Sequence, residues 1–417
     1  MAPDVSLIVV SRDREEDLCA LISILKVQHK TRFELIIVSN IHTDRVLSML
    51  GDRQATVIYC DVQNIAVMRN LGLSAACAPV VAFCDDDAIP EPDWLFELSS
   101  AFDNPTVCMA TGPVLGRNGF SLQWGVTRTD WDGLDTAVDT VPQSAELYAP
   151  STAGFVRVQG TNCAFKRETL LQIGGFDKGF AYYLDETDVC IRLAKRGHAT
   201  AFQPTAVVQH QVSSSATRYQ NRAPKSLALI GESIRHFVAC HADSRDVALR
   251  RHYLTQEHRL LRNLESGVLE PRDIKHRRSE LYHGQAEPAG DVQGKTVVLA
   301  DGLFCDTTTS RMGVVIATTR SRKGAADQYA KSMHLQGKIV TMLVMSALPF
   351  RHRRAAWDGI YTQNGGVMGL LSRSPRSRAR SPLKCAQMTT KSLEIRRSIA
   401  RMVYFVPFGM TVVDEKP

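Results

Sequence analysis

The chain has 417 residues, 44% hydrophobic and 22% charged, with a formal net charge of +7. That is the composition of an ordinary globular protein with enough apolar material for a sizeable core. The charge is too modest for this length to argue by itself for a polyanionic partner. Ten cysteines lie singly between Cys19 and Cys385, which excludes a small disulfide framework and reads as reduced thiols in a cytoplasmic protein.

The opening "MAPDVSLIVVSRDREED" carries Asp4 before a very short apolar run, so it reads as a first strand and not as a signal peptide. Over residues 15–26, Leu18, Leu21, Ile22 and Leu25 recur at helical spacing, predicting one apolar helix face. "FELIIV", "ATVIY", "VVAFC" and "TVCMATG" follow as strands, with a helix over 64–76 among them. Strands separated by helical crossovers predict a parallel, doubly wound α/β sheet, whose ligands bind outside the carboxyl ends of the strands.

The fourth strand runs straight into Asp85, Asp86 and Asp87. Three adjacent anions repel one another. Either they face water as a turn, or something positive sits among them. A helix start at "PEPDW" favours the turn, whereas a divalent cation would explain the oxygen ligands.

Residues 113–157, with Trp124 and Trp131, are poorly periodic, as functional or disordered segments are. "VQGTNCAFKRETLLQIGGF" predicts a strand and a short helix, "DETDVCIRLAKRG" a helix closed by Gly197, and "ATAFQP" and "AVVQHQ" two short strands. Residues 225–267 read as helical, 268–294 as a linker, and 295–369 as strand-like runs around one helix. The longest late apolar stretch, "IVTMLVMSALPF", is too short to span a bilayer. Residues 372–401 hold nine Lys or Arg against one acid, Glu394. A solvated tail is the plainer reading of such a run, and contact with an anionic membrane face is the second.

In chain order, "VSLIVVSRDREEDL", "NIAVMRNLGLSAA", the aspartates, "GTNCAFKRETLLQIGGFD", "YYLDETDVCIRLAKRG" and "FQPTAVVQH" together resemble the family-2 glycosyltransferases of GT-A fold, over roughly residues 4 to 212. The resemblance implies a metal-dependent, inverting transferase that moves a sugar from a nucleotide-sugar to a glycan or lipid-linked glycan, with Mg2+ or Mn2+ as cofactor. It implies that Asp87, Asp85 and His210 serve the metal. It also implies that Arg69, Asn70, Asp85, Asp86, Asn40, Gly160, Thr161 and Asn162 serve the donor. Glu186 takes the position of the general base, with Asp185 as competitor because the acids stand here as Asp-Glu where the family has Glu-Asp. In place of the usual acid after the second strand stand Ser39 and Asn40, and no Trp follows an Arg, so the Gln-x-x-Arg-Trp motif of processive members is missing and a single addition is expected.

The expected architecture is therefore α/β, a GT-A type doubly wound mixed sheet over 1–215, then a helical extension and linker over 216–290. A small α/β region with a basic tail follows over 291–417. A non-catalytic nucleotide- or carbohydrate-binding protein of the same fold is the alternative, and a nucleotidyltransferase a more distant one, because "SRDREED" lacks its glycine-rich loop. Nucleic acid is not an expected partner, since it would account for the basic run but not for the acidic site.

Overall fold

A computed structural model describes residues 2–41, 43–139, 141–219, 221–285, 295–298, 302–307, 311–348, 352–366 and 401–405. Four parallel strands form its centre: β1 (Val5–Ser11), β2 (Thr31–Ser39), β3 (Thr56–Tyr59) and β4 (Val80–Asp85). Their near-continuous apolar runs are what a sheet covered on both faces requires. Alternate residues serve opposite layers: Leu7, Leu35 and Ile37 pack with Leu18, Leu21, Ile22 and Leu25 of helix α1 (Glu15–Leu25). Ile8, Ile36 and Val38 face the other layer with Met68 and Leu73. The helix Ile65–Ala75 is capped by Asn64, whose side chain accepts from Val67 N at 2.9 Å. It lies so close to β1 that a Cβ on Gly72 would come within 2.5 Å of Ile8, so the packing itself demands glycine.

Beyond β4 the sheet becomes mixed, as expected. Cys163–Lys166 runs antiparallel to both β4 and Met109–Thr111, and Thr200–Phe202 runs parallel to the latter. The aperiodic stretch after residue 113 folds into short strands. Val114–Leu115, Leu122–Trp124, Ala88–Pro90 and Val208–His210 make a separate four-stranded sheet. Its register sets His210 opposite Ala88, next to the aspartates.

Helices Ala228–His241 and Arg245–Glu265 extend this core rather than standing apart from it, since Ile230, Ile234, Phe237 and Leu260 are buried with Phe176 and Phe180. The linker reading of 268–294 is corrected by a third helix, Pro271–His283. Its start is set by a capping box between Glu270 and Asp273 and by proline at the first helical position, local signals that outweigh polar composition. Among the described residues no helix is long and apolar enough to cross a membrane.

The later residues return to the first sheet. Lys295–Val298 pairs with β3 and Cys305–Thr307 with β2, both antiparallel. A five-stranded sheet follows, in the order Arg353–Trp357, Ile360–Gly365, Ile339–Met345, Gly313–Thr319, Arg401–Phe405, with helix Lys323–Leu335. It docks against Ala88–Pro90 through a buried ion pair, Arg354 Nη1 to Glu91 Oε1 at 2.5 Å, and through Tyr361, whose hydroxyl donates to Pro90 O at 2.8 Å. The basic run lies outside the described residues except for Arg401.

Breaking a buried pair from one side strands the other charge. Arg354→Ala is therefore expected to cost roughly 3–5 kcal/mol in denaturant unfolding. A loss below 1 kcal/mol would show that this sheet contributes little to holding the aspartate loop.

Candidate functional site

Asp85 ends β4 and the next two carboxylates turn inward. Asp86 and Asp87 are buried, whereas the Asp85 side chain keeps 31% of its surface. The positive charge that three neighbouring anions require comes from the protein. Arg14 places Nη2 2.6 Å from Asp86 Oδ1 and Nη1 3.1 Å from Asp87 Oδ2. Arg218 adds Nη2 at 3.4 Å from the same Asp87 oxygen, and Ser213 N donates to it at 2.7 Å. Ser11 Oγ donates to Asp86 Oδ2 at 2.6 Å.

Burial pushes the Asp86 carboxyl well up from its ordinary value, with Arg14 pulling the other way. Burial acts on Asp87 too, but His210, Arg14 and Arg218 outweigh it and hold that carboxyl well below the usual range. Asp87 is thus the anion of the pair.

Its other oxygen, Oδ1, faces His210 Nε2 at 3.2 Å, and both buried atoms are without a hydrogen bond among the described residues. His210 is oriented by Gln123, whose amide nitrogen lies 3.1 Å from Nδ1 while Arg222 holds its Oε1, and by the stacked ring of Trp124. Donor atoms of Asp85, Asp87 and His210 lie within 4.8 Å of one another. Two carboxylates and an imidazole, with buried lone pairs otherwise unused, form a donor set that suits Mn2+ or Mg2+.

A second acidic cluster lies across the cleft floor. Leu184 adopts φ +67°, an uncommon conformation for a non-glycine residue that is found at functional turns. It turns the chain into the helix Asp185–Ala194, whose amino-terminal dipole favours the acids of its first turn. Asp185 is buried against Arg69 Nη1, and burial pushes its carboxyl up to about 8 against the opposing pull of Arg69. Arg69 also reaches Gly160 O at 3.4 Å and Asp85 at 3.9 Å, and stacks on Phe83 and Phe176. A Cβ on Gly160 would stand 2.8 Å from Arg69 Nη2, so a side chain there would displace the guanidinium that joins the two acidic clusters. Glu186 points differently. Its carboxylate is 21% exposed and lies 3.4 Å from Arg157 Nη1. Arg157 is itself held by both oxygens of Asp135, at 2.7 and 2.9 Å. Asp188 is spent on Arg192 and His241.

The other residues singled out in the sequence divide between cleft and scaffold. The Thr161 hydroxyl is buried without a hydrogen-bond partner among the described residues. Asn70 spends both ends of its amide on the backbone of Phe176, at 2.6 and 2.9 Å. Asn162 is fully buried between Trp94 Nε1, Pro113 O and Ala206 O. Both are braces for the loops around the site, and Asp86 anchors Arg14 in the same way. Asn40 lies at the far end of the cleft, donating to Asp13 Oδ1 at 2.7 Å and Asp61 Oδ1 at 3.5 Å, where Arg12 also meets Asp61. Asp61 thus supplies, after β3, an acid that the end of β2 lacks.

Sequence reasoning missed Arg14, Arg218, Arg157 and Asp61. Arg14 had a signal, since a loop reading "SRDREED" between β1 and α1 lies at the carboxyl end of the sheet. Arg218 had none, because it comes from an irregular segment.

The family model described as "Glycosyltransferase like family 2" matches residues 3–225. Among curated proteins the chain is 27% identical over 239 residues to a glucosyl-dolichyl phosphate glucuronosyltransferase of Haloferax volcanii, covering 52% of this chain and 72% of that one. It is 28% identical over 163 residues to a pre-mycofactocin glycosyltransferase of Mycobacterium tuberculosis, covering 36% of this chain and 33% of that protein. Of solved structures, a mannosyltransferase from Pyrobaculum calidifontis in complex with GDP-Man and Mn2+ aligns with a TM-score of 0.39 at 16% identity, over 67% of this chain and 85% of that one.

Proposed function

The chain belongs to the glycosyltransferase family 2-like proteins, and from that premise we propose a metal-dependent, inverting transfer of a single sugar from a nucleotide-sugar donor to a glycan or lipid-linked glycan. The observation that carries this reading is the convergence of Asp85, Asp87 and His210 with two buried, otherwise unpartnered donor atoms. Asp85, Asp87 and His210 would hold a divalent cation, which would supply positive charge for the diphosphate of the departing nucleotide. Arg14 and Arg218 keep Asp87 ionised and add positive charge beside the same place. Asn40 and Asp61 offer polar edges for the nucleobase and ribose at the ends of β2 and β3. Gly160 and Thr161, beside Arg69, are assigned to the sugar end of the donor on the resemblance of their motif.

Glu186 takes the acceptor hydroxyl proton as its oxygen attacks the anomeric carbon. Its partial exposure lets an acceptor reach it, and the Arg157 guanidinium at 3.4 Å fixes its position. Asp185 positions Arg69 and, through it, Gly160 and Asp85. The name of the Haloferax relative favours a lipid-linked acceptor.

The test is a panel of UDP-, GDP- and dTDP-sugars, each assayed for binding and slow hydrolysis with and without Mn2+. Binding of one nucleotide class that needs the metal is the expected result. Sugar-independent binding with no hydrolysis and no transfer to any glycan or polyprenyl-linked acceptor would favour a non-catalytic binding protein.

A further inference from the structure

A second set of metal-ligating side chains lies outside the cleft, on the far side of the helix that carries Glu186. Gly174 and Gly175, both left-handed, turn the chain so that Asp177 faces the helix Ala228–His241. Gly179 N fixes Asp177 Oδ1 at 2.9 Å, leaving Oδ2 to meet His236 Nε2 at 2.8 Å. One helical turn on, Cys240 brings its Sγ to 3.8 Å from the same nitrogen. Spacing of four residues sets two side chains on one helix face. Ligand atoms of all three lie within 4.8 Å of one another.

We propose that Asp177, His236 and Cys240 form a zinc site with a fourth position open to water. Sulfur, imidazole nitrogen and carboxylate oxygen together are the donors of zinc, and unlike the O, O, N set of the cleft they do not suit magnesium. Ligand atoms around a tetrahedral zinc stand about 3.4 Å apart given its usual bond lengths. The observed 2.8 and 3.8 Å bracket that spacing, so modest side-chain rotations assemble the site. The edge of Phe180 braces the His236 ring at 4.7 Å. Gly179 keeps the front of Nε2 open, since a Cβ there would lie 2.2 Å from that atom. All three ligands retain solvent access, His236 at 33% and Asp177 at 39% of their side-chain surface and Cys240 exposed, so a metal has a path in.

The site would cross-link the helical extension to the loop that Asn70 and Arg192 brace, at Phe176 and Gly175. It therefore fastens the extension to the transferase core independently of donor binding.

Cobalt substitution tests this in the full chain, because a cobalt–thiolate bond gives a near-ultraviolet charge-transfer band that the cysteine-free cleft site cannot produce. One equivalent of Co2+ should raise that band, and Zn2+ should displace it and raise the melting temperature. Cys240→Ser should abolish the band, and His236→Ala and Asp177→Asn should each weaken metal affinity at least about tenfold, with circular dichroism of all three unchanged. No band in the parent, or an equal band in Cys240→Ser, overturns the proposal, Cys77 being the other exposed thiol among the described residues. Metal affinity unchanged in His236→Ala also overturns it.

Discussion

Glu186→Gln is expected to lower turnover by roughly 10²–10⁴-fold, the usual worth of a positioned general base, while leaving metal-dependent donor affinity near that of the parent. Glutamine keeps the shape and can still meet Arg157, but it cannot accept a proton. Asp185→Asn should behave differently. Asp185 is buried and bound to a buried guanidinium, so removing its charge leaves Arg69 uncompensated, at a cost of roughly 3–5 kcal/mol. Its variant should lose stability and donor binding together. Unfolding curves and nucleotide titrations alongside turnover separate the two cases. A stable Asp185→Asn protein that binds donor and does not turn over, beside an active Glu186→Gln, would move the base to Asp185.

The difference between these neighbours was not legible in "DETD". Sequence order sets both acids at the start of one helix, where either can cap it. Only the φ of Leu184 and the position of Arg69 decide that the first is buried against a guanidinium while the second keeps partial exposure. The strands were legible for a simple reason: buried parallel strands are runs such as "VVAFC", and no other arrangement of that run satisfies both faces. Asp85 and Asp87 were legible as candidates because strand ends are where such sheets bind ligands, and His210 only through the resemblance.

Arginine partners were not, since a side chain that long reaches its anion from any nearby loop, and Arg218 comes from 131 residues beyond Asp87. Asparagines misled for the opposite reason. Asn70 and Asn162 lie in the expected motifs, yet each amide is consumed by backbone groups that would otherwise be buried unpaired. The return of Lys295–Val298 and Cys305–Thr307 to the first sheet is likewise a long-range pairing that no local pattern encodes.

Asp87→Asn bears on the cleft most directly. Adjacent anions at the end of an apolar strand can be a solvated turn, and such a turn tolerates an amide. Here Asp87 is buried, with Oδ2 committed to Ser213 N, Arg14 and Arg218 and Oδ1 turned to His210. An amide must point its NH2 either at two guanidinium groups or at His210. The first is repulsive, so the amide oxygen keeps the arginines and the NH2 takes the position facing His210. A metal then loses both a charge and a lone pair. Affinity for nucleoside diphosphate with Mn2+ is expected to fall by more than the roughly 10–100-fold that loss of an outer-shell partner costs a metal site. Metal-free binding should change little, because the amide oxygen can still accept from Ser213 N, Arg14 and Arg218. Asparagine is the informative choice, because alanine would also remove the oxygen that Ser213 N, Arg14 and Arg218 share and confuse folding with binding. Calorimetric titration of UDP and GDP, with Mn2+ and with chelator, measures the difference directly. If Asp87→Asn binds as tightly as the parent and Asp85→Asn does not, the cation rests on Asp85 and His210, and Asp87 serves only to seat Arg14 and Arg218.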